Sequence, residues 1–366
     1  LEGLDRIGFS PTDFHGLRVV VKPNLMASAV EDKALTTHPA FFQAVVRMVK
    51  EHGGIPVLAE NPPYLSLERV LRKTGYSQVL REEGVETANT KPVQPLSYDE
   101  ARTFKQILIS EIFFQADLIL NLPKLKTHAL THMTGAVKNL FGVIPGLEKS
   151  RMHMRVPTSL PFSEWLLDLY GALCNGFRPA KPILHLMDAV VGLEGEGPGS
   201  GGDPKKIGAL LFGRDAVALD YVAARVTGLD IGKIHTITSG FSRPFSVDSP
   251  DEIQILGSRV EDLAVRDFKP PLSSSGPEGL REYLIGTALK NWFVEKPVPD
   301  EQLCTLCYQC KIICPAGAIR EAREGAKTPR YDHKICIRCF CCLEICPEAA
   351  VTRKRAGLQW LMDLLG

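Results

Sequence analysis

Apolar positions along most of the chain alternate between short β-branched runs and longer stretches at helical spacing. Residues 17–21 hold Val19, Val20 and Val21 in an unbroken run, which predicts a buried strand. Lys22-Pro23-Asn24 ends it, because proline removes a ladder donor. Thr36, Thr37, His38 and Pro39 give a helix start, with capping hydroxyls and an early proline. Residues 42–52 then follow the helical repeat, Gly53 and Gly54 stop it, and 55–59 predict the next strand. That strand–helix–strand order implies a parallel pair joined by a right-handed crossover. Further along, 65–83 predict one or two helices broken near Gly75, and 104–109 and 117–122 predict strands. Residues 161–174 predict a helix, 183–191 and 207–212 strands, and 215–227 another helix.

Strands alternating with helices predict an α/β fold with a mostly parallel sheet flanked by helices. Ligands of such sheets bind beyond the carboxyl ends of the strands. Three polar clusters fall at those ends: Lys22 with Asn24, Lys124 and Lys126 with His128, and Asp188 with Glu194. Lys138 and Asn139 follow in an apolar stretch punctuated by glycine and proline. The expectation is one crevice where Lys22, Lys124 and Lys126 converge on a phosphate or carboxylate, with Asn24, Lys138 and Asn139 beside them. Lys126, His128, Asp188 and Glu194 are the candidates for acid–base chemistry. His128 and His132 are spaced to share a helix face, for proton transfer or for a metal held with Asp188 or Glu194. Asp220, on an apolar helix, calls for a partner, expected among the lysines.

Residues 197–202 match G-x-G-x-x-G, but a strand-like run follows where a dinucleotide site needs a helix N-terminus. The expected roles for the 192–202 glycine stretch are a ligand-covering lid or a plain surface turn. Residues 296–299, with two prolines, read as a stiff linker, and 355–365 as an amphipathic helix.

Beyond that linker the chemistry becomes specific. Cys304-x2-Cys307-x2-Cys310-x3-Cys314-Pro315 recurs as Cys336-x2-Cys339-x2-Cys342-x3-Cys346-Pro347. This doubled spacing predicts two [4Fe–4S] clusters, with the fourth cysteine of each run crossing to the other cluster. Cys304, Cys307, Cys310 and Cys346 are assigned to one, and Cys336, Cys339, Cys342 and Cys314 to the other. Zinc sites use cysteine pairs rather than such runs. Cys341 and Cys174 fall outside the pattern and read as small buried apolar residues.

Composition adds limits. Apolar residues are 45% of the 366, enough for a substantial core, and the formal net charge is +1. No basic stripe with interleaved aromatics points to nucleic acid, and no apolar run reaches membrane-spanning length. The expected compartment is reducing and cytoplasmic; the chain begins at Leu1 rather than Met, which leaves an upstream targeting segment open. The expected division is an α/β domain over 1–295, a dicluster ferredoxin-like α+β domain over 296–353 and a terminal helix over 354–366. Nothing in the pattern fixes an oligomeric state.

Four stretches together resemble the DUF362 iron–sulfur proteins. They are Lys22-Pro23-Asn24, residues 122–128 from Leu122 to His128, residues 134–142 from Thr134 to Gly142, and residues 194–198 from Glu194 to Pro198. The resemblance implies a redox-linked α/β domain fused to a dicluster ferredoxin. The expected activity is an oxidoreductase in which the clusters pass single electrons to or from a small anion on the α/β domain. Room remains for a flavin or second metal and for a redox partner protein. The alternatives are an electron carrier whose α/β domain docks a partner, and a non-redox lyase or isomerase with structural clusters. The fusion favours the first, since tethering raises the local concentration of donor over acceptor.

Overall fold

The computed structural model describes residues 1–26, 33–62, 66–271, 283–284, 287–358 and 361. Its main sheet holds β1 (Arg18–Pro23), β2 (Ile55–Leu58) and β3 (Glu86–Thr87). A separate antiparallel pair, β4 (Val93–Ser97) and β5 (Gln106–Ser110), interrupts the series. The main sheet continues with β6 (Leu118–Leu122), β7 (Lys124–His128), β8 (His132–Thr134), β9 (Ile183–Glu196) and β10 (Gly201–Gly213). The order is β3-β2-β1-β6-β9-β7-β8, with β10 antiparallel on β9. Every pair from β3 through β7 is parallel. The α/β class read from the sequence is the one observed.

Period-two alternation explains why the sheet is buried on both faces. Val19 and Val21 join one core, with Leu118, Leu120 and Leu122, while Val20 and Ile119 join the other. The helix Pro39–Glu51 covers the first face with Phe42, Val45, Val46 and Val49, the i, i+3, i+4, i+7 set of an amphipathic helix. His38 caps it, its ring accepting from the Ala40 N–H at 3.2 Å. The helix Ser159–Asn175 covers the second face with Phe162, Trp165, Leu166 and Leu169. Each such side chain contributes about 1.5–3 kcal/mol on burial.

Several expectations change. Lys124–His128, expected at the carboxyl end of a strand, is itself a strand, and β7 and β8 form a hairpin in which His128 faces His132. The two histidines therefore share no helix. The glycine stretch is no lid: 192–196 continue β9, and only its tip turns before β10. Asp220 meets backbone, not lysine, accepting from the Ala136 and Val137 N–H groups, the latter at 3.1 Å.

The cysteine region is built as a repeat in space as well as in sequence. Short helices Gln309–Ile313 and Cys341–Ile345 each start after a left-handed residue, Tyr308 (φ 56°) and Phe340 (φ 58°). Cys314 Sγ accepts from the Ala318 N–H and Cys346 Sγ from the Ala350 N–H, both at 3.2 Å. The stretch expected as a stiff linker is instead a strand, β11 (Lys296–Pro299), and the region's other strands among the described residues are β12 (Ile319–Arg320), β13 (Arg330–Tyr331) and β14 (Val351–Lys354). β11 pairs antiparallel with β14, and β12 with β13. Most of the expected terminal helix lies outside the described residues; 355–358 are not helical.

Candidate functional site

The site begins where β1, β2 and β6 end. Lys22 follows three valines into the interior with no exposed surface, so its ammonium requires a counter-charge. Glu60, just past β2, supplies it at 2.5 Å. Gly142 closes over this pair: a Cβ there would collide with the Glu60 carboxylate and the Lys22 ammonium. Beside them runs a directed chain of hydrogen bonds. Lys126 Nζ donates to Asn24 Oδ1, Asn24 Nδ2 to Asn139 Oδ1 and Asn139 Nδ2 to Asn121 Oδ1, each at 2.8 Å. Lys126 also donates to the Leu35 carbonyl at 2.8 Å. Burial, reinforced by Lys138 and Lys124, pushes the Lys126 ammonium down to about 7.

These residues wall a cavity of about 70 Å³ between the α/β sheet and the cysteine region. The sheet side contributes Asn24, Lys126, His128, Thr134, Lys138 and Asn139, with Glu60, Asn61 and Phe141. Lys149 and His153 enter from the helix Gly146–Arg155. The far wall is Ile313, Cys341, Glu344 and Ile345, from the two cysteine-bearing helices. Lys149 donates to the Asn61 carbonyl, and its ammonium is pushed down to about 7 by burial. His153 stacks on Phe162 at 4.7 Å, and burial holds its pKa down to about 3. His128 Nδ1 accepts from the Leu130 N–H at 2.9 Å and the Thr131 N–H at 3.3 Å, which fixes its proton on Nε2. Burial keeps that imidazole neutral, well below its ordinary pKa.

Four buried polar atoms on this wall have no hydrogen-bond partner among the described residues: His128 Nε2, Thr134 Oγ1, His153 Nδ1 and Glu344 Oε1. Such atoms are costly unless something occupies the space they face.

The structure thus brings together only part of the expected set. Lys126, His128, Asn24, Lys138 and Asn139 line the cavity. Lys22 stands behind Glu60. Lys124 is spent on Asp188 at 2.8 Å, and Asp188 also accepts from the His38 N–H. Glu194 accepts from the Lys269 N–H at 2.9 Å, away from the cavity. The three lysines therefore do not converge on one crevice, and Asp188 and Glu194 do not line the cavity. Sequence reasoning missed Glu60, Asn61, Thr134, Lys149, His153 and Glu344. Glu60 and Asn61 follow a predicted strand as Lys22 and Asn24 do, so the same rule would have found them. Cys341 is buried as expected but faces the cavity.

The cysteines gather in two groups. Cys304, Cys307, Cys310 and Cys346 line a second cavity with Tyr308 and Tyr331. Cys314 lies among Cys336 and Cys339, and Cys342 among Cys339, Cys336 and Cys314. Four thiols from both runs around one space are a donor set that fits a cubane. The first group reaches solvent through the exposed Cys307, while the second adjoins the Cys341–Ile345 helix on the first cavity.

An α/β domain joined to paired four-cysteine sites defines an iron–sulfur protein, and comparison with known proteins agrees. The pattern described as a domain of unknown function, DUF362, matches residues 19–225, and that of a 4Fe-4S dicluster domain matches 296–347. The chain belongs to the DUF362 family and holds two [4Fe–4S] clusters. It is 32% identical over 225 residues to the Thylakoid-associated protein sll1697 of Synechocystis sp., covering 61% of this chain and 67% of that protein. Two solved structures are similar to part of the chain. One is a Thermotoga maritima protein (15% identity, TM-score 0.36, 58% of this chain). The other is the lactate racemase apoprotein of Thermoanaerobacterium thermosaccharolyticum (12% identity, TM-score 0.40, 62% of this chain). The chain spans 53% and 55% of those two chains' lengths. Among the described residues no helix is long and apolar enough to cross a membrane.

Proposed function

We propose that this protein is an oxidoreductase in which the clusters exchange single electrons with a small anionic molecule bound in the cavity between the α/β domain and the cluster domain. The observation that carries the reading is the shared wall: the Cys341–Ile345 helix, which holds the Cys342 thiol, also lines the cavity with Cys341, Glu344 and Ile345. A molecule there would sit against the protein shell of one cluster, which we take to be held by Cys336, Cys339, Cys342 and Cys314. The other, held by Cys304, Cys307, Cys310 and Cys346, would face a redox partner protein, since Cys307 is exposed. The clusters supply one-electron chemistry. The chain's own residues bind and orient: Lys126 and Lys138 give the cavity a positive field, and His128 presents a fixed N–H. The α/β domain is taken as 1–295, the cluster domain as 296–353, and the setting as a reducing cytoplasm.

The test is reoxidation of the reduced, anaerobically reconstituted protein by para-nitrobenzoate, a small anionic electron acceptor. Saturable kinetics are expected. Thr134→Met, which fills the cavity, should slow this reaction at least about tenfold, or about 1.4 kcal/mol in barrier, with reoxidation by ferricyanide unchanged. Unaltered para-nitrobenzoate kinetics in that variant would favour the electron-carrier reading.

A further inference from the structure

The lysines in and around the cavity are not equivalent. Lys22 is paired with Glu60, Lys124 with Asp188, Lys126 with Asn24 and Leu35, and Lys149 with Asn61. Lys138 differs. It is half-buried, its ammonium lies 4.6 Å from the Phe141 ring centroid and 5.4 Å from that of Phe162, and among the described residues no acceptor meets it. Two neutral donors join it on the wall. Among the described residues neither His128 Nε2–H, which stands 3.5 Å from Glu344 Oε1, nor the Thr134 hydroxyl forms a hydrogen bond, and the two residues are only 1% and 4% exposed.

Among the described residues, one cation without a hydrogen-bonding acceptor and two neutral donors without partners make a small, defined demand. A carboxylate meets it, having two oxygens with several lone-pair sites and a single charge. The same cavity is lined by Leu25, Phe141, Ile313 and Ile345, apolar side chains suited to a short carbon body. Among the described residues a second negative charge meets no further ammonium without hydrogen-bond acceptors, since Lys126 already donates to Asn24 and the Leu35 carbonyl. It would face the Glu344 carboxylate, the apolar wall, or the thiolate-bound cluster behind the Cys341–Ile345 helix.

We propose that the cavity takes a small monocarboxylate, its carboxylate held by Lys138, His128 Nε2–H and the Thr134 hydroxyl and its body laid against Phe141 and Ile345, and that it rejects dianions. This rests on the reading of the cavity as the ligand site and narrows it to one ligand class.

Calorimetry on the oxidised, reconstituted full chain, with butyrate, succinate and inorganic phosphate as probes, tests the assignment. Butyrate should bind at least about tenfold tighter than either dianion, and Lys138→Met should lose at least about tenfold in butyrate affinity. Cluster absorbance should persist, and Lys138→Arg should retain part of the binding. Equal or tighter binding of succinate or phosphate overturns the proposal, as does the absence of butyrate binding. Unchanged butyrate affinity in a cluster-loaded Lys138→Met protein overturns it too. If that variant does not fold, the comparison of the three anions on the natural chain decides alone. Butyrate preference without any change in the cluster signals keeps this proposal and removes the electron-delivery reading. Succinate preference with changed cluster signals does the reverse.

Discussion

His128 Nε2 stands 3.5 Å from Glu344 Oε1 across the cavity, and neither atom forms a hydrogen bond among the described residues. One belongs to β7 of the sheet, the other to the helix that carries Cys342. Two long-separated parts of the chain thus present unsatisfied polar atoms to one space. The α/β sheet and the cysteine region therefore line one cavity together.

Iron content checks the thiol assignment. About eight iron atoms per chain are expected from two cubanes. Cys341→Ala and Cys174→Ala should leave that number unchanged, because neither belongs to the two four-thiol groups. Metal analysis of the reconstituted variants measures it, and iron loss in Cys341→Ala would contradict the assignment.

Asp220 makes stability depend on pH. Burial raises its carboxyl from 3.8 to about 7, against the pull of the Ala136 and Val137 N–H groups. A raised carboxyl pKa means that the folded state binds more protons than the unfolded state between those values. Stability from this group is therefore full below the unfolded pKa and is lost as pH rises through about 7. Denaturant titrations of Asp220→Ala should lack that slope. They should also show a loss on the order of 1–3 kcal/mol, because two buried N–H donors lose their acceptor.

The hairpin tip between β9 and β10 is a spacer between the domains. Gly199 lies so close to the Glu344 backbone that a Cβ would overlap the Glu344 carbonyl oxygen. Gly199→Val should push the cluster helix off the sheet and cost about 1–3 kcal/mol. Iron release to a chelator should then be several-fold faster than in the natural protein. An unchanged release rate would show that the tip does not set this spacing.

Much of this was legible in the sequence. The valine run at 19–21 and the helical spacing of Phe42, Val45, Val46 and Val49 are local patterns, and they fixed the sheet and its covering helices. The cysteine spacing is a ligand code that needs no tertiary information. Which charges pair was not legible. Lys22, Lys124 and Lys126 look alike in sequence, and only the register of β7 on β9 gives Asp188 to Lys124. The 192–202 stretch looked like a loop because glycine suits turns, yet pairing with β10 holds it extended. Glu344 was invisible as a site residue because its role arises from the docking of the cluster domain.

The most direct test of electron delivery to the cavity is pulsed electron paramagnetic resonance on the reduced protein with carbon-13-carboxyl butyrate bound. The account expects a hyperfine coupling from the label on one cluster signal, absent in Lys138→Met, with no coupling on the other. Butyrate shown by calorimetry to be bound, yet coupled to neither cluster, would contradict it.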